Sequence, residues 1–191
     1  MIAWFGSGLI AEDWRSGAHL LYFSRPLTPG GYLAAKFLTL MFYALLAVLL
    51  PALVICTVAS LASHEWGFLK EEGRVVPASI LFALLWATVW SSVMLAISSL
   101  FRRKTFALVA SFAFFMVSGA VSILLARLQD DPRYLMVSLQ GNFQRVACSL
   151  FATRMIDLRW NAGWSCLWIG VATGIAWAIL VVRVRRMEAA G

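Results

Sequence analysis

"FLTLMFYALLAVLLPALVICTVASLA", residues Phe37 to Ala62, carries no charged side chain. A membrane-spanning helix needs about 20 predominantly apolar residues, so this run is long enough to cross a bilayer. Pro51 interrupts it; a proline at depth removes a backbone hydrogen bond and predicts a kink that neighbouring helices accommodate. Three further uncharged runs follow, Ala78–Phe101, Thr105–Ala126 and Gly163–Val182. The whole chain is 62% hydrophobic and 13% charged, with a mean hydropathy of +0.83. Soluble domains are about 45–50% apolar and about 25% charged. The expected class is an all-α integral membrane protein, one transmembrane domain over residues 1–191 with four spans at 37–62, 78–101, 105–126 and 163–182.

Working outward, the connectors set the topology. Ser63–Pro77 is polar and mildly acidic, and Phe101–Thr105 is a tight link holding Arg102, Arg103 and Lys104. Four spans leave both termini on one side. That side holds nine basic residues, Arg15, Arg25, Lys36, Arg102, Arg103, Lys104, Arg183, Arg185 and Arg186, against three acids. Short basic loops beside spans are retained in the cytoplasm, so both termini are expected there. The net charge of +7 follows from this clustering at span ends; no soluble face is left to bind nucleic acid.

The connector 127–162 hides a pattern. Met136, Leu139, Phe143, Val146 and Leu150 recur at helical spacing, with Ser138, Asn142, Arg145 and Ser149 on the other side. This predicts an external amphipathic helix lying in the outer interface or dipping into it; the alternative is an irregular loop packed on the spans. Trp160 and Trp164 are placed to flank the last span at headgroup level. Trp86, Trp90, Trp168 and Trp177 lie deeper, as packing groups.

Catalytic inventory is missing. There is no GxxxxGK[ST], GxSxG or HExxH; His19 and His64 fall in segments on opposite sides of the bilayer; Cys56, Cys148 and Cys166 are scattered. No catalytic or metal-ligating set is assigned. No ionisable residue lies inside the four runs, which argues against a proton or ion path through this chain. Gly170, Gly174 and Ala178 recur four apart on the last span and predict a close helix-packing face, within the chain or between two copies.

Upstream of the first span, "LIAEDWRSGAHLLYFSRPLTPGGYLAAK", residues 9–36, is the one compact charged segment. Read as a helix, Ile10, Ala11, Trp14, Gly17, Ala18, Leu21 and Tyr22 form an apolar face. Glu12, Arg15, Ser16 and His19 form the polar stripe, with Asp13 at its edge and Glu12 close enough to Arg15 to pair. Such a helix, 9–24, lies flat on a membrane. Pro26 drives Arg25 out of helical conformation, and Thr28 can cap a new helix with Pro29 at its first position. A rigid elbow therefore joins a surface helix to the first span. The plainer alternative is an amphipathic anchor.

These residues carry a resemblance. Glu12, Asp13, Arg15, Ser16, Gly17, Tyr22, Ser24, Arg25, Pro26, Leu27, Tyr32 and Lys36 match the cytoplasmic segment of the membrane-spanning subunit of ATP-binding-cassette transporters of the second exporter type. "LAISSLFRRKTFALV" (95–109) resembles that family's next cytoplasmic link, and "RVRRMEAAG" (183–191) its basic tail. The resemblance implies a permease of a bacterial-type plasma membrane that does no bond chemistry. It implies a separate ATP-binding-cassette ATPase, which holds ATP and magnesium, and a second permease copy or paralogue beside it. Residues Glu12, Asp13, Arg15, Ser16, Gly17, His19, Arg25 and Pro26 would then contact the ATPase as a coupling helix and its elbow. The family pattern has six spans with the charged segment between the second and third, so residues 1–8 are expected to be the stub of a preceding span. A non-transporting membrane scaffold is the alternative function.

Overall fold

The computed structural model describes residues 6, 8–16, 29–62, 73–101, 103–152 and 160–188. All regular structure in them is helical. A six-residue helix α1 (Ala11–Ser16) precedes α2 (Pro29–Ala62), α3 (Val75–Leu100) and α4 (Lys104–Leu128). A 3₁₀ helix (Pro132–Val137) and α5 (Leu139–Leu150) form the connector, and α6 (Ala162–Glu188) closes the chain. Helices α2, α3, α4 and α6 are long and apolar enough to cross a membrane, with candidate spans Gly30–Ala62, Val75–Leu100, Lys104–Leu128 and Ala162–Arg186. Each predicted span lies within one of these helices, save that the second ends at Phe101, one residue past α3. The helix of the first span begins at Pro29 and continues through Pro51. Thr28, its expected cap, lies outside the described residues.

α3 is the centre of the bundle. In its most apolar stretch 56% of residues are buried, against 17%, 11% and 22% in α2, α4 and α6. Buried large residues, Val89, Trp90, Val93, Met94 and Leu95, share it with many small ones. Ala83, Ala87, Ser91, Ser92, Ala96, Ser98 and Ser99 are all buried on it, and small residues let neighbouring backbones approach where lipid supplies no hydrophobic drive for association. The hydroxyls are compatible with that setting because several are spent inside the helix: Ser92 donates to the Thr88 carbonyl at 2.7 Å and Ser99 to that of Ala96 at 2.7 Å. Against α3 pack Leu33 and Leu40 of α2 and Ile169, Ala176, Leu180 and Val184 of α6. The outer faces of α2, α4 and α6 carry exposed Phe, Leu, Val and Ile, as a lipid-facing surface does.

The face read from Gly170, Gly174 and Ala178 takes no part in this packing. All three are exposed, and a Cβ built on Gly170 or Gly174 meets nothing within 4 Å. Trp168 is likewise 49% exposed. Trp86 and Trp90 do pack, with centroids 5.8 Å apart, and Trp177 meets Phe37 at 5.3 Å. Trp160 is buried and donates its indole N–H to Ser165 Oγ at 2.8 Å, while Trp164 is exposed.

The predicted connector helix is present, and it dips. After α4 the chain turns at Asp130, whose φ is 48°. Asp131 Oδ1 accepts from the Arg133 amide at 2.9 Å, and Pro132 opens the 3₁₀ helix. That helix runs back along α4. A Cβ on Gly119 would sit 3.6 Å from Gln140 Oε1, and Gly119 lies about 13 Å back along α4 from Leu128. α5 then returns outward: the Phe143 ring meets Phe82 at 6.3 Å and stacks on Trp90 at 6.5 Å. Trp90 is about 22 Å along α3 from Val75, beyond the helix midpoint. α5 ends with Leu150 and Phe151 beside Arg74 and Val75 at the start of α3. The connector is a helical hairpin that enters and leaves on one side of the bundle, with Arg145 Nε donating to the Trp160 carbonyl at 2.7 Å to tie α5 to the chain entering α6.

The polar side read for this helix is therefore partly reversed. Ser138 and Asn142 are each 2% exposed and face inward. The reason is backbone chemistry at the hairpin tip, where these side chains serve peptide groups that the turn leaves without helical partners. Ser138 Oγ accepts from the Gly141 amide at 3.0 Å and donates to the Leu135 carbonyl at 3.1 Å. Asn142 Nδ2 donates to the carbonyls of Met136 at 2.6 Å and Ser138 at 2.9 Å. Gly141 fits because a Cβ there would collide with the Leu135 carbonyl oxygen. Gly141→Ala must shift that backbone, so it should destabilise the purified protein by about 2–3 kcal/mol, read as a lowered thermal midpoint in detergent; an unchanged midpoint would contradict the tip geometry.

Candidate functional site

α1 lies where the start of α2, the end of α3 and the start of α4 converge. A six-residue helix cannot stand alone, so its position is set by what it touches. Ile10 and Ala11 are fully buried, Ile10 within the main core with Leu33, Leu40 and Met94. Just upstream, Gly6 runs close to α2 and α3: a Cβ there would come within 3.1 Å of Leu40 and 3.2 Å of Met94. Gly8 lies against the aliphatic stem of Lys104, 3.3 Å from a built Cβ.

Two polar attachments fix α1 further. Ser98 Oγ, from the last turn of α3, accepts from the backbone amides of both Ile10 and Ala11 at 3.3 Å. Ile10 is the turn that precedes α1 and Ala11 its first residue, so a hydroxyl from another span holds the start of α1. Asp13 makes the second attachment. Its Oδ2 lies 2.7 Å from Lys36 Nζ and accepts from the Tyr32 hydroxyl at 2.7 Å. Tyr32 and Lys36 are four apart on α2 and share a face, with the ammonium 5.6 Å from the Tyr32 ring centroid. The Asp13 and Lys36 side chains are only 16% and 20% exposed, so this charge-assisted cluster sits largely out of solvent.

The opposite side of α1 is open. Glu12 and Ser16 are exposed, and the Ser16 hydroxyl donates to the Glu12 carbonyl at 2.8 Å. Ile10 and Ala11 are buried while Glu12 and Ser16 are exposed; the helix begins at Ala11 after a turn at Ile10, where the sequence reading runs one helix from Leu9, and the rest of that reading, 17–24, lies outside the described residues. Arg15 is in the helix, but its side chain lies outside the described residues, as do Gly17, His19, Arg25 and Pro26; the Glu12–Arg15 pair and the proline elbow lie there too. Gly170, Gly174 and Ala178 belong to α6 and are not brought to this site.

Tyr32, Lys36 and Ser98 went unassigned to the site on sequence. Tyr32 and Lys36 carry a signal, an aromatic hydroxyl and a cation one helical turn apart on the first span. Ser98 carries none, since a serine in "LAISSL" looks like any other small residue of a span.

Residues 1–159, from before α1 through α5, match the family model described as ABC-2 family transporter protein. The chain belongs to the ABC-2 transporter family. No curated protein and no solved structure matches it. With four apolar helices and this family, the chain is a multi-pass membrane protein and an ABC-2 type permease, a kind of subunit that is generally a membrane component without catalysis of its own.

Removing that hydroxyl tests how α1 is held. Ser98→Ala removes the acceptor that Ser98 Oγ offers to two buried amides, at about 1–3 kcal/mol. Hydrogen exchange at residues 10 and 11 should accelerate well above that of the α3 amides; unchanged protection would mean that Ser98 does not hold α1.

Proposed function

We propose that this ABC-2 permease couples ATP hydrolysis by a separate ATP-binding-cassette subunit to translocation of a substrate across a bacterial-type plasma membrane. The observation that carries the reading is the two-sidedness of α1: Glu12 and Ser16 face outward while Ile10, Ala11 and Asp13 are fastened to the spans. A helix anchored on one side and bare and polar on the other is suited to receive a soluble motor. The coupling surface comprises Glu12, Arg15 and Ser16, with Asp13 behind them and Gly17, His19, Arg25 and Pro26 continuing toward the elbow. ATP and magnesium are held by the motor subunit.

Orientation follows from charge. The end of the bundle that holds α1 also holds Lys36, Arg103, Lys104, Arg183, Arg185 and Arg186, and short basic segments beside spans stay in the cytoplasm. Both termini are on that side, where a motor can reach α1. A second permease copy or paralogue completes the transport path, and the open Gly170, Gly174 and Ala178 face of α6 is a surface on which two backbones could meet closely.

The decisive experiment is purification of the tagged chain in mild detergent from its own cells. An ATP-binding-cassette ATPase should co-purify, and Glu12→Lys should lower its recovery about ten-fold, in line with loss of a hot-spot interaction. Recovery of no such ATPase with the unaltered chain rejects the reading. Sidedness has its own test: with Cys56, Cys148 and Cys166 replaced, a Glu12→Cys thiol should resist a membrane-impermeant maleimide in intact cells and react after lysis. Labelling in intact cells would put α1 on the wrong face for any motor.

A further inference from the structure

A push on α1 must reach the spans to do work. The covalent route is long: Asp13 and Tyr32 are nineteen residues apart in sequence. Across space the same residues are joined by a single hydrogen bond of 2.7 Å, and Lys36 Nζ sits 2.7 Å from the same carboxylate oxygen. One atom of α1 therefore engages two side chains on adjacent turns of α2. The attachment to α3 is of another kind: a neutral hydroxyl, Ser98 Oγ, sharing two amides at 3.3 Å. Charge-assisted contacts are shorter and about twice as strong as neutral ones, so the ionic link to α2 is the stiffer of the two.

We propose that Asp13 is a positioning residue that latches α1 to the first span through Lys36 and Tyr32, so that displacement of α1 is delivered to α2 by this ionic contact. The inference rests on the reading of α1 as the surface met by the ATPase, and it divides that helix by role: Glu12 faces the motor, and Asp13, the next residue, transmits to the span. Removing the Asp13 charge leaves Lys36, mostly out of solvent, without that counter-ion, and α1 can then move while α2 stays.

The test has two arms in a background free of native cysteines. In the chain alone, spin labels at Ser16→Cys and Leu61→Cys, both exposed, report the distance between α1 and the far end of α2. The parent chain should give one narrow distribution; Asp13→Asn and Lys36→Met should broaden it, and the exchanged pair Asp13→Lys with Lys36→Asp should narrow it again. In the complex with the co-purified ATPase, labels at Leu61→Cys and Leu128→Cys report movement of the spans. ATP with vanadate should shift the population in the parent, and Asp13→Asn should cut that shift roughly ten-fold, a coupling effect of ordinary size, while hydrolysis by the bound ATPase, assayed without vanadate, continues. Rescue by the exchanged pair marks a latch, since a residue needed only for bulk stability would not be restored by reversing both charges. Tyr32→Phe, which removes one hydrogen bond and keeps the ion pair, covers the case in which the charge variants do not fold; it should broaden the first distribution without abolishing it. A parent-like distribution in Asp13→Asn, or in Tyr32→Phe where the charge variants do not fold, overturns the latch whatever binds α1. Absence of an ATPase overturns the coupling reading whatever the labels report.

Discussion

The close packing of helices on α3 is the constraint from which the rest of the structure follows. Between apolar helices in lipid there is no hydrophobic gain, so association depends on how near two backbones can come. α3 meets that demand with a run of buried Ala and Ser, and α2 and α6 close on it with larger side chains. Each end of α3 then serves as an attachment point. At one end Ser98 holds the start of α1; at the other, Arg74 and Val75 lie beside the end of α5. The element that receives α1 and the element that receives the connector hairpin are one and the same rod.

The second constraint is the supply of hydrogen-bond partners for any backbone that turns inside the bundle. At the hairpin tip a serine and an asparagine supply what water would supply elsewhere, and a glycine lets the two strands of chain approach. The satisfaction is incomplete: Asn142 Oδ1 is buried without a partner, as are Trp90 Nε1 and Ser91 Oγ on α3. Phe143, next to Asn142, stacks on Trp90, so the hairpin rests on α3 through aromatic area while some polar atoms nearby go unmatched. Such atoms cost stability where they are found.

What the sequence disclosed and what it hid divide along physical lines. The spans were legible because the bilayer demands an uninterrupted apolar length, and Phe37–Ala62 or Ala78–Phe101 meet it without ambiguity. Their ends were less so: hydropathy marks the part in lipid, while the helix of α2 continues to Pro29 in more polar sequence. The burial of Ile10 and Ala11 and the exposure of Glu12 were legible because an amphipathic helix sorts its residues by polarity. Ser138 and Asn142 were misread for the same reason, since a helical wheel assigns polar residues to water and these two instead serve a turn. The GxxxG face on α6 is a recognisable motif that the chain leaves open, whereas the packing seam of α3 has no motif, only a frequency of small residues. The Asp13–Lys36 contact was invisible because it depends on how the chain between them folds back.

The placement of the two acids of α1 shows why adjacency in sequence need not mean similarity of role. Consecutive residues on a helix are about 100° apart, enough to put Glu12 into solvent and Asp13 against α2. A carboxylate in solvent is free to meet a partner and gives little to the fold; one held at 2.7 Å by an ammonium and a phenol fixes geometry. The pair therefore converts a single turn of helix into a part with an outside and an inside. In this ABC-2 type permease α1 is thus a short helix whose one side is tied to the spans and whose other side is exposed.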